Sequence, residues 1–457
     1  MGRSLPLTVA VLVLILMPAP LVLSASVGPQ VLRYITRARP GRIFLRSALK
    51  GAWRGFKDYI KSLPGGQETD DGNDDNSADT AGRFIFNLSV GTSTPQNIPG
   101  VLDITSQLVW SQCAPCTACV PPPAPSFQPK RSATFSRLPC RSQTCQRVVV
   151  NETCPAANAT PTDDYCKYFT SYDDDTNTTG YLANDTFTFD STQVPGMVFG
   201  CSVASVGDFF GASGVFGFSK GPLSLVSQLH LSWFSYFWAS DDSGRDSFIQ
   251  LGDDKVTPTP TSRSTPLLNS SLYPDLYVVK ITGIKVGDKL QRDIPAGTFD
   301  LRANGSGGVF LSTTVPVTFL EEAACNVVRN SLASGIKAQP VNGSALGLDL
   351  CYTIKSMAKL KVPKLALVFD GNDAVMNLKR SNYFFRDNTT GLDCLSILPS
   401  RGLSLLGSLL QTDRNMTYDI ANAQLIFEPV PAAAPPVHSM ASSLLMALPL
   451  AVWMVLL

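Results

Sequence analysis

Two stretches of this chain, Gly100-Val-Leu-Asp-Ile-Thr-Ser106 and Gly308-Val-Phe-Leu-Ser-Thr-Thr314, follow the same local pattern. Each is followed about a hundred residues later by an apolar-apolar-Gly element, Val215-Phe216-Gly217 and Leu405-Leu406-Gly407. An element repeated with its distant partner implies a duplicated lobe, and two lobes imply a cleft between them. The segments around the repeats predict mainly β structure. Phe84–Gly91 alternates through Phe86, Leu88 and Val90, and Tyr181–Phe189, Leu276–Val286 and Leu365–Phe369 read as comparable strands. The 34 Gly and 33 Pro fall between short apolar runs and mark many turns. Strong amphipathic helices are few, and Glu321–Leu332 is the best candidate.

The ends of the chain point to the secretory route. Arg3 precedes an apolar run from Leu5 to Leu23, and Ser24, Ala25 and Ser26 offer a cleavage site, so residues 1–25 are expected to be a signal peptide. Ten N-glycosylation sequons fit that compartment: Asn87, Asn151, Asn158, Asn177, Asn184, Asn269, Asn304, Asn342, Asn388 and Asn415. The last residues, Leu444–Leu457, form an uncharged apolar run too short for a span of about 20 residues. Small residues Ala432, Ala433 and Ala434 and a polar spacer precede it, so residues 432–457 read as a GPI-attachment signal with Ala432 as the candidate site. The formal net charge of +1 hides a split. Residues 27–61 carry nine Lys/Arg against Asp58 alone, an acidic Gly/Asn-rich tract follows, and the rest of the body has more acids than bases. Residues 26–82 are read as a basic prosegment and linker, with a mature basic arm as the alternative, and nucleic-acid binding is excluded for the acidic body.

The residues available for catalysis are restricted. Only His230 and His438 are present, and His438 falls in the segment expected to be removed, so a Ser-His-Asp, Cys-His or His-based metal site has almost nothing to stand on. No phosphate-cradling Gly-rich loop is present. Secretion also turns Cys113-x-x-Cys116-x-x-Cys119, with Cys140, Cys145, Cys154, Cys166 and Cys201, into disulfide candidates rather than zinc ligands, in a pairing that spacing leaves open. Carboxylates remain.

At that point a run of motifs in fixed order carries a resemblance. Leu108-Val-Trp-Ser-Gln-Cys-Ala-Pro-Cys-Thr-Ala-Cys119 is followed by Phe199-Gly-Cys-Ser202 and Gly214-Val-Phe-Gly-Phe-Ser-Lys-Gly-Pro-Leu-Ser-Leu-Val-Ser-Gln-Leu229. Then come Ile281-Thr-Gly-Ile-Lys-Val-Gly287, Leu348-Asp-Leu-Cys-Tyr352 and Asn382-Tyr-Phe384. From Phe84 to about Phe427 the chain resembles the nepenthesin group of pepsin-like aspartic proteases. The resemblance implies a bilobal pepsin-like fold, with an N-terminal lobe over 83–229 and a C-terminal lobe over 230–431. It implies chemistry by two Asp side chains about 3 Å apart that share one proton, each in an Asp-Thr/Ser-Gly-Ser/Thr loop.

Here the first loop is Asp103-Ile104-Thr105-Ser106, and comparison of the repeats aligns the second as Leu311-Ser312-Thr313-Thr314. Asp103 is the candidate catalytic residue, and Leu311 is expected to stand where the second Asp belongs. Asp300 is too far along the chain to replace it. Ser106, Trp110, Tyr172, Ser312 and Thr314 are expected to line the cleft and flap, with the family's flap Tyr-Gly-Asp-Gly-Ser replaced by Tyr172-Asp-Asp-Asp-Thr176. The resemblance further implies that Cys351 and Cys394 pair within the second lobe and leave Cys325 as a free thiol. The reading implies no cofactor and no metal. It favours a monomeric, extracellular or GPI-anchored protein that lacks peptidase activity and binds a peptide or protein, a secreted enzyme among the candidates. A residual endopeptidase acting through Asp103, a glycosidase-inhibitor-like protein and a structural cell-wall glycoprotein are the alternatives.

Overall fold

The alternation at Phe84–Val90 becomes a strand whose even-numbered side chains, Phe84, Phe86, Leu88 and Val90, are buried while Asn87 faces out. The computed structural model describes residues 33–40 and 84–429, apart from 120–125, 149–163, 173–175, 208, 210, 241–242 and 244. Leu32 onward forms one unit. The expected signal and GPI-attachment segments lie outside the described residues.

Fourteen strands form one continuous sheet. In its first half run Phe84–Val90, Gln96–Asp103, Gly214–Gly217, Trp110–Gln112, Thr192–Val206 and Asn177–Phe189 in that spatial order. In its second half Trp233–Phe237 lies between Ser247–Gly252 and Arg414–Asp419, with Gln424–Pro429 and Arg263–Pro266 beyond. The two halves meet through Arg33–Pro40, which pairs antiparallel with Ser247–Gly252 and with the start of Phe84–Val90. Part of residues 26–82 is thus a strand inside the sheet.

The second lobe adds a five-stranded sheet built on Val309–Leu311, Ser404–Leu406 and Thr318–Glu321, a four-stranded sheet and a three-stranded sheet. The strand expected over Leu276–Val286 divides at Lys280. Val278–Val279 joins the sheet of Val309–Leu311, and Ile281–Val286 pairs with Leu365–Phe369. The expected helix forms at Glu322–Gly335; the Glu321 carboxylate accepts from Ala323 N–H as its cap, and Ala324, Cys325, Val328 and Leu332 face inward.

Aromatic packing ties the halves together. Phe234 stacks on Tyr418 at 4.6 Å between centroids and meets Phe218 edge-on at 5.1 Å. Tyr277 packs on Tyr418, and its hydroxyl donates to the Phe218 carbonyl at 2.8 Å.

Candidate active site

The duplicated elements become duplicated ladders. Gln96–Asp103 pairs parallel with Gly214–Gly217, which pairs antiparallel with Trp110–Gln112. Val309–Leu311 pairs parallel with Ser404–Leu406, which pairs antiparallel with Thr318–Glu321. The loops that follow Gln96–Asp103 and Val309–Leu311 therefore leave equivalent strands in each half.

The ladder registers correct the alignment of the second loop by one residue. Leu102 faces Phe216 and Asp103 faces Gly217, the last residue of the apolar-apolar-Gly element. Leu311 faces Leu406, so it is the counterpart of Leu102, and Ser312 is the counterpart of Asp103. The other strand agrees: Trp110 faces Val215, and Phe319 faces Leu405. Hydrogen bonds repeat the equivalence. Asp103 Oδ1 accepts from Thr105 N–H at 2.8 Å, two residues on, and Ser312 Oγ accepts from Thr314 N–H at 3.2 Å, two residues on. Leu311 is a core side chain at 1% exposure, as Leu102 is at 0%. The physical reason is the parallel ladder: a one-residue slip would break the pairing of Val309–Leu311 with Ser404–Leu406 and exchange the faces on which Leu311 and Ser312 stand. The position matching Asp103 thus holds a hydroxyl, and it belongs to Ser312, not Leu311.

Thr313 then corresponds to Ile104. Its buried hydroxyl reaches the other lobe, donating to Leu102 O at 2.8 Å and accepting from Ile104 N–H at 3.3 Å, so it grips the backbone on both sides of Asp103. The reciprocal grip is absent because Ile104 has no donor to return. Thr105, which sequence comparison reads only as a lost glycine, instead anchors the carboxylate, its hydroxyl donating to Asp103 Oδ1 at 2.6 Å. Ser312 is tied to its own loop, also accepting from Val315 N–H at 3.1 Å and lying 3.3 Å from the Thr314 hydroxyl. Gln411 supports that loop from below: its amide donates to the carbonyls of Ser312, Leu406 and Gly407, and its oxygen accepts from Tyr236. Nothing in the motif pattern singles out Thr313 or Gln411. Their role depends on which loop faces which.

Tyr172 sits at the base of the flap. The Trp110 indole N–H donates to its hydroxyl at 2.6 Å, and Ser106 also hydrogen-bonds it. Burial pushes its phenol well up, and the nearby Asp103 charge pushes the same way, so the hydroxyl stays protonated. Phe209 packs edge-on against the Trp110 ring at 4.9 Å. Asp103, Ser106 and Trp110 thus surround Tyr172, while Ser312 and Thr314 lie on the second-lobe loop whose Thr313 meets the backbone beside Asp103. The acidic tip, residues 173–175, lies outside the described residues. Asp300 is elsewhere, paired with Lys280 at 2.8 Å. His230 is exposed at the end of a short helix, and His438 is outside the described residues.

Disulfides join Cys113 to Cys201, Cys116 to Cys119, Cys145 to Cys166 and Cys351 to Cys394. Cys140 is also disulfide-bonded, while Cys154 lies outside the described residues. Cys325 is a free, buried thiol. Among the described residues no group of three or more His, Cys, Asp or Glu could hold a metal ion. Of the sequons, Asn87, Asn269, Asn304, Asn342 and Asn388 are exposed, Asn177, Asn184 and Asn415 are half-buried, and Asn151 and Asn158 lie outside the described residues.

Residues 84–253 match the family described as Xylanase inhibitor N-terminal, and residues 276–429 match Xylanase inhibitor C-terminal. The chain is 35% identical to aspartic proteinase nepenthesin-2 of Nepenthes gracilis over 77% of its own length and 78% of that protein. It is 31% identical to aspartyl protease family protein 2 of Arabidopsis thaliana over 76% of this chain and 71% of that one. Among solved structures, the basic 7S globulin from soybean aligns with a TM-score of 0.61 at 17% identity, covering 88% of this chain and 97% of that one. The crystal structure of edgp aligns at 0.59 and 19%, covering 76% and 91%. These likenesses share the two-lobed β fold found here. The chain belongs to the nepenthesin-type, pepsin-like family of plant aspartic proteases.

Proposed function

We propose that this protein is a secreted, non-catalytic member of the family whose cleft binds an extended peptide or a loop of a partner protein. One observation carries the reading: the position matching Asp103 is Ser312. Aspartic-protease chemistry needs one carboxylate to take a proton from water while its partner donates one to the peptide carbonyl. Asp103 can do the first. A serine hydroxyl, fixed to its own loop, is far too weak an acid to share a proton with it. The rest of the cleft remains serviceable, because Tyr172, Trp110 and Ser106 keep the flap base in place. Both halves match families described as xylanase inhibitor, which supports a secreted glycosidase as the partner class.

Disulfides and sequons support an extracellular location, and the tail from Ala432 supports a GPI anchor on a monomeric protein. Processing of residues 26–82 would remove a strand from inside the sheet, so N-terminal sequencing of the secreted protein decides whether that segment stays. The central test is cleavage of an unfolded protein substrate between pH 2 and 7 (about the carboxylate to neutral range). No cleavage is expected, and inhibition of purified secreted glycosidases is measured beside it. Cleavage blocked by an active-site-directed inhibitor and lost in Asp103→Asn would establish the residual-endopeptidase alternative instead. Ser312→Asp is expected to recover little activity, since Ile104 still cannot return the cross-lobe hydrogen bond.

A further inference from the structure

The hairpin that carries Tyr172 shows an apolar side chain where water should be. Its strands, Lys167–Ser171 and Asn177–Phe189, alternate: Tyr168 is buried, and Phe169 is 67% exposed. Phe169 is the most exposed of four exposed large hydrophobic side chains among the described residues, and a second of them, Val206 at 54%, lies on the neighbouring strand Thr192–Val206. The registers place both on one face. Phe169 is directly opposite Thr179, and Ser171 is opposite Asn177. Across the other edge, Asn177 is opposite Val206 and Thr179 opposite Ala204. Cross-strand partners share a face, so Phe169, Asn177, Thr179 and Val206 stand together on the outer surface, while Thr178 between them is buried.

Asn177 and Thr179 are the two recognition positions of a sequon, Asn177-Thr-Thr179. We propose that Asn177 carries an N-linked glycan whose first sugar lies flat on the Phe169 ring, with Val206 against its other side. The inference rests on the secretory reading above. Directly opposed residues stand about 5 Å apart and diagonal ones about 7–8 Å, so Asn177 is in direct reach of Val206 and diagonal to Phe169. A pyranose attached to the Asn177 amide spans the diagonal gap. One face of such a sugar is lined by C–H groups carrying slight positive charge, which suits the electron-rich face of an aromatic ring, and its hydroxyls stay in water. The exposed Phe169 thereby gains a partner that the polypeptide does not supply. The glycan becomes a packing element of the hairpin that ends in Tyr172.

The test uses the full chain secreted from a eukaryotic host. Glycopeptide mass spectrometry reads occupancy at Asn177, with the exposed Asn87 and Asn304 as internal references. Limited proteolysis then reads how often the 167–189 hairpin opens. Phe169→Ala is expected to speed cleavage there about fivefold in the glycosylated protein and to change nothing in an Asn177→Gln background. Trimming the wild-type glycan to its first sugar should leave the rate unchanged, and removing that sugar should raise it as Phe169→Ala does. That comparison needs no variant to fold. Occupied references with an empty Asn177 would overturn the proposal while leaving the secretory reading intact; empty sequons throughout would overturn both. An equal effect of Phe169→Ala with and without the glycan would show that the ring serves another partner.

Discussion

Replacing Thr313 by Val changes almost nothing in shape and removes a hydroxyl that joins the second loop to the backbone around Asp103. In the native structure that hydroxyl donates to Leu102 O and accepts from Ile104 N–H, with Thr313 at 1% exposure and Ile104 at 0%. Valine offers neither, and no solvent reaches the site to replace it. An unsatisfied buried backbone group costs about 1–3 kcal/mol, so the pair costs about 3 kcal/mol once partial relaxation is allowed for. With a urea slope of about 3 kcal/mol per M, the unfolding midpoint should fall by about 1 M. Thr313→Ser keeps the hydroxyl and loses one methyl group, costing about 1 kcal/mol, which separates the hydrogen bonds from the packing. Hydrogen exchange gives the local readout: the Ile104 amide should exchange faster in the Val variant than in the Ser variant. If Val matched the wild type within about 0.5 kcal/mol, or if Ser were the more damaging change, the cross-lobe grip would not be what holds the Asp103 loop.

Three further outcomes follow from single side chains. Burial alone would raise Asp413, but hydrogen bonds from the Ser240 N–H and hydroxyl and from Lys379 outweigh it and hold the carboxyl below its ordinary value. Its contribution is therefore present above the unfolded carboxylate pKa near ~3.9 and lost as pH falls through the lower folded value. Asp413→Ala should accordingly depress Tm at pH 6 (about two units above that pKa) and make progressively less difference on acidification; a constant deficit would contradict this. Burial pushes the Cys325 thiol up to about 12, with the Arg329 charge opposing it, so a thiol reagent should find no reactive group in the native protein and one after denaturation without reductant. Rapid labelling of Cys325 in the native state would overturn that. Tyr172→Phe leaves the Trp110 indole N–H without its acceptor and should weaken peptide binding about tenfold, or ~1.4 kcal/mol, measured by calorimetry; unchanged affinity would place the peptide away from the flap.

Much of the fold is legible in local patterns, because local patterns record burial. Period-two alternation at Phe84–Val90 and the two apolar-apolar-Gly elements say which residues face inward and where a chain must pass close to another. The order of motifs names the family, and Asp103, Ser106, Trp110 and Tyr172 can be picked out with it. The absence of a second carboxylate is also visible, since neither Leu311 nor Ser312 has one.

What the sequence leaves open is the partner of Asp103. Gly307 and Gly308 stand side by side, and Val309-Phe-Leu311 is apolar throughout, so matching the repeats by eye allows a slip of one residue that costs nothing in similarity. In three dimensions the slip is forbidden. The strand Ser404–Leu406 fixes the register, Leu311 fills the core, and Thr313 must present its hydroxyl to Leu102 and Ile104, residues over two hundred positions away. Composition and spacing specify what each strand buries; only the strand pairing inside each lobe, with which the cross-lobe grip of Thr313 agrees, decides that Ser312 and not Leu311 stands at the position matching Asp103.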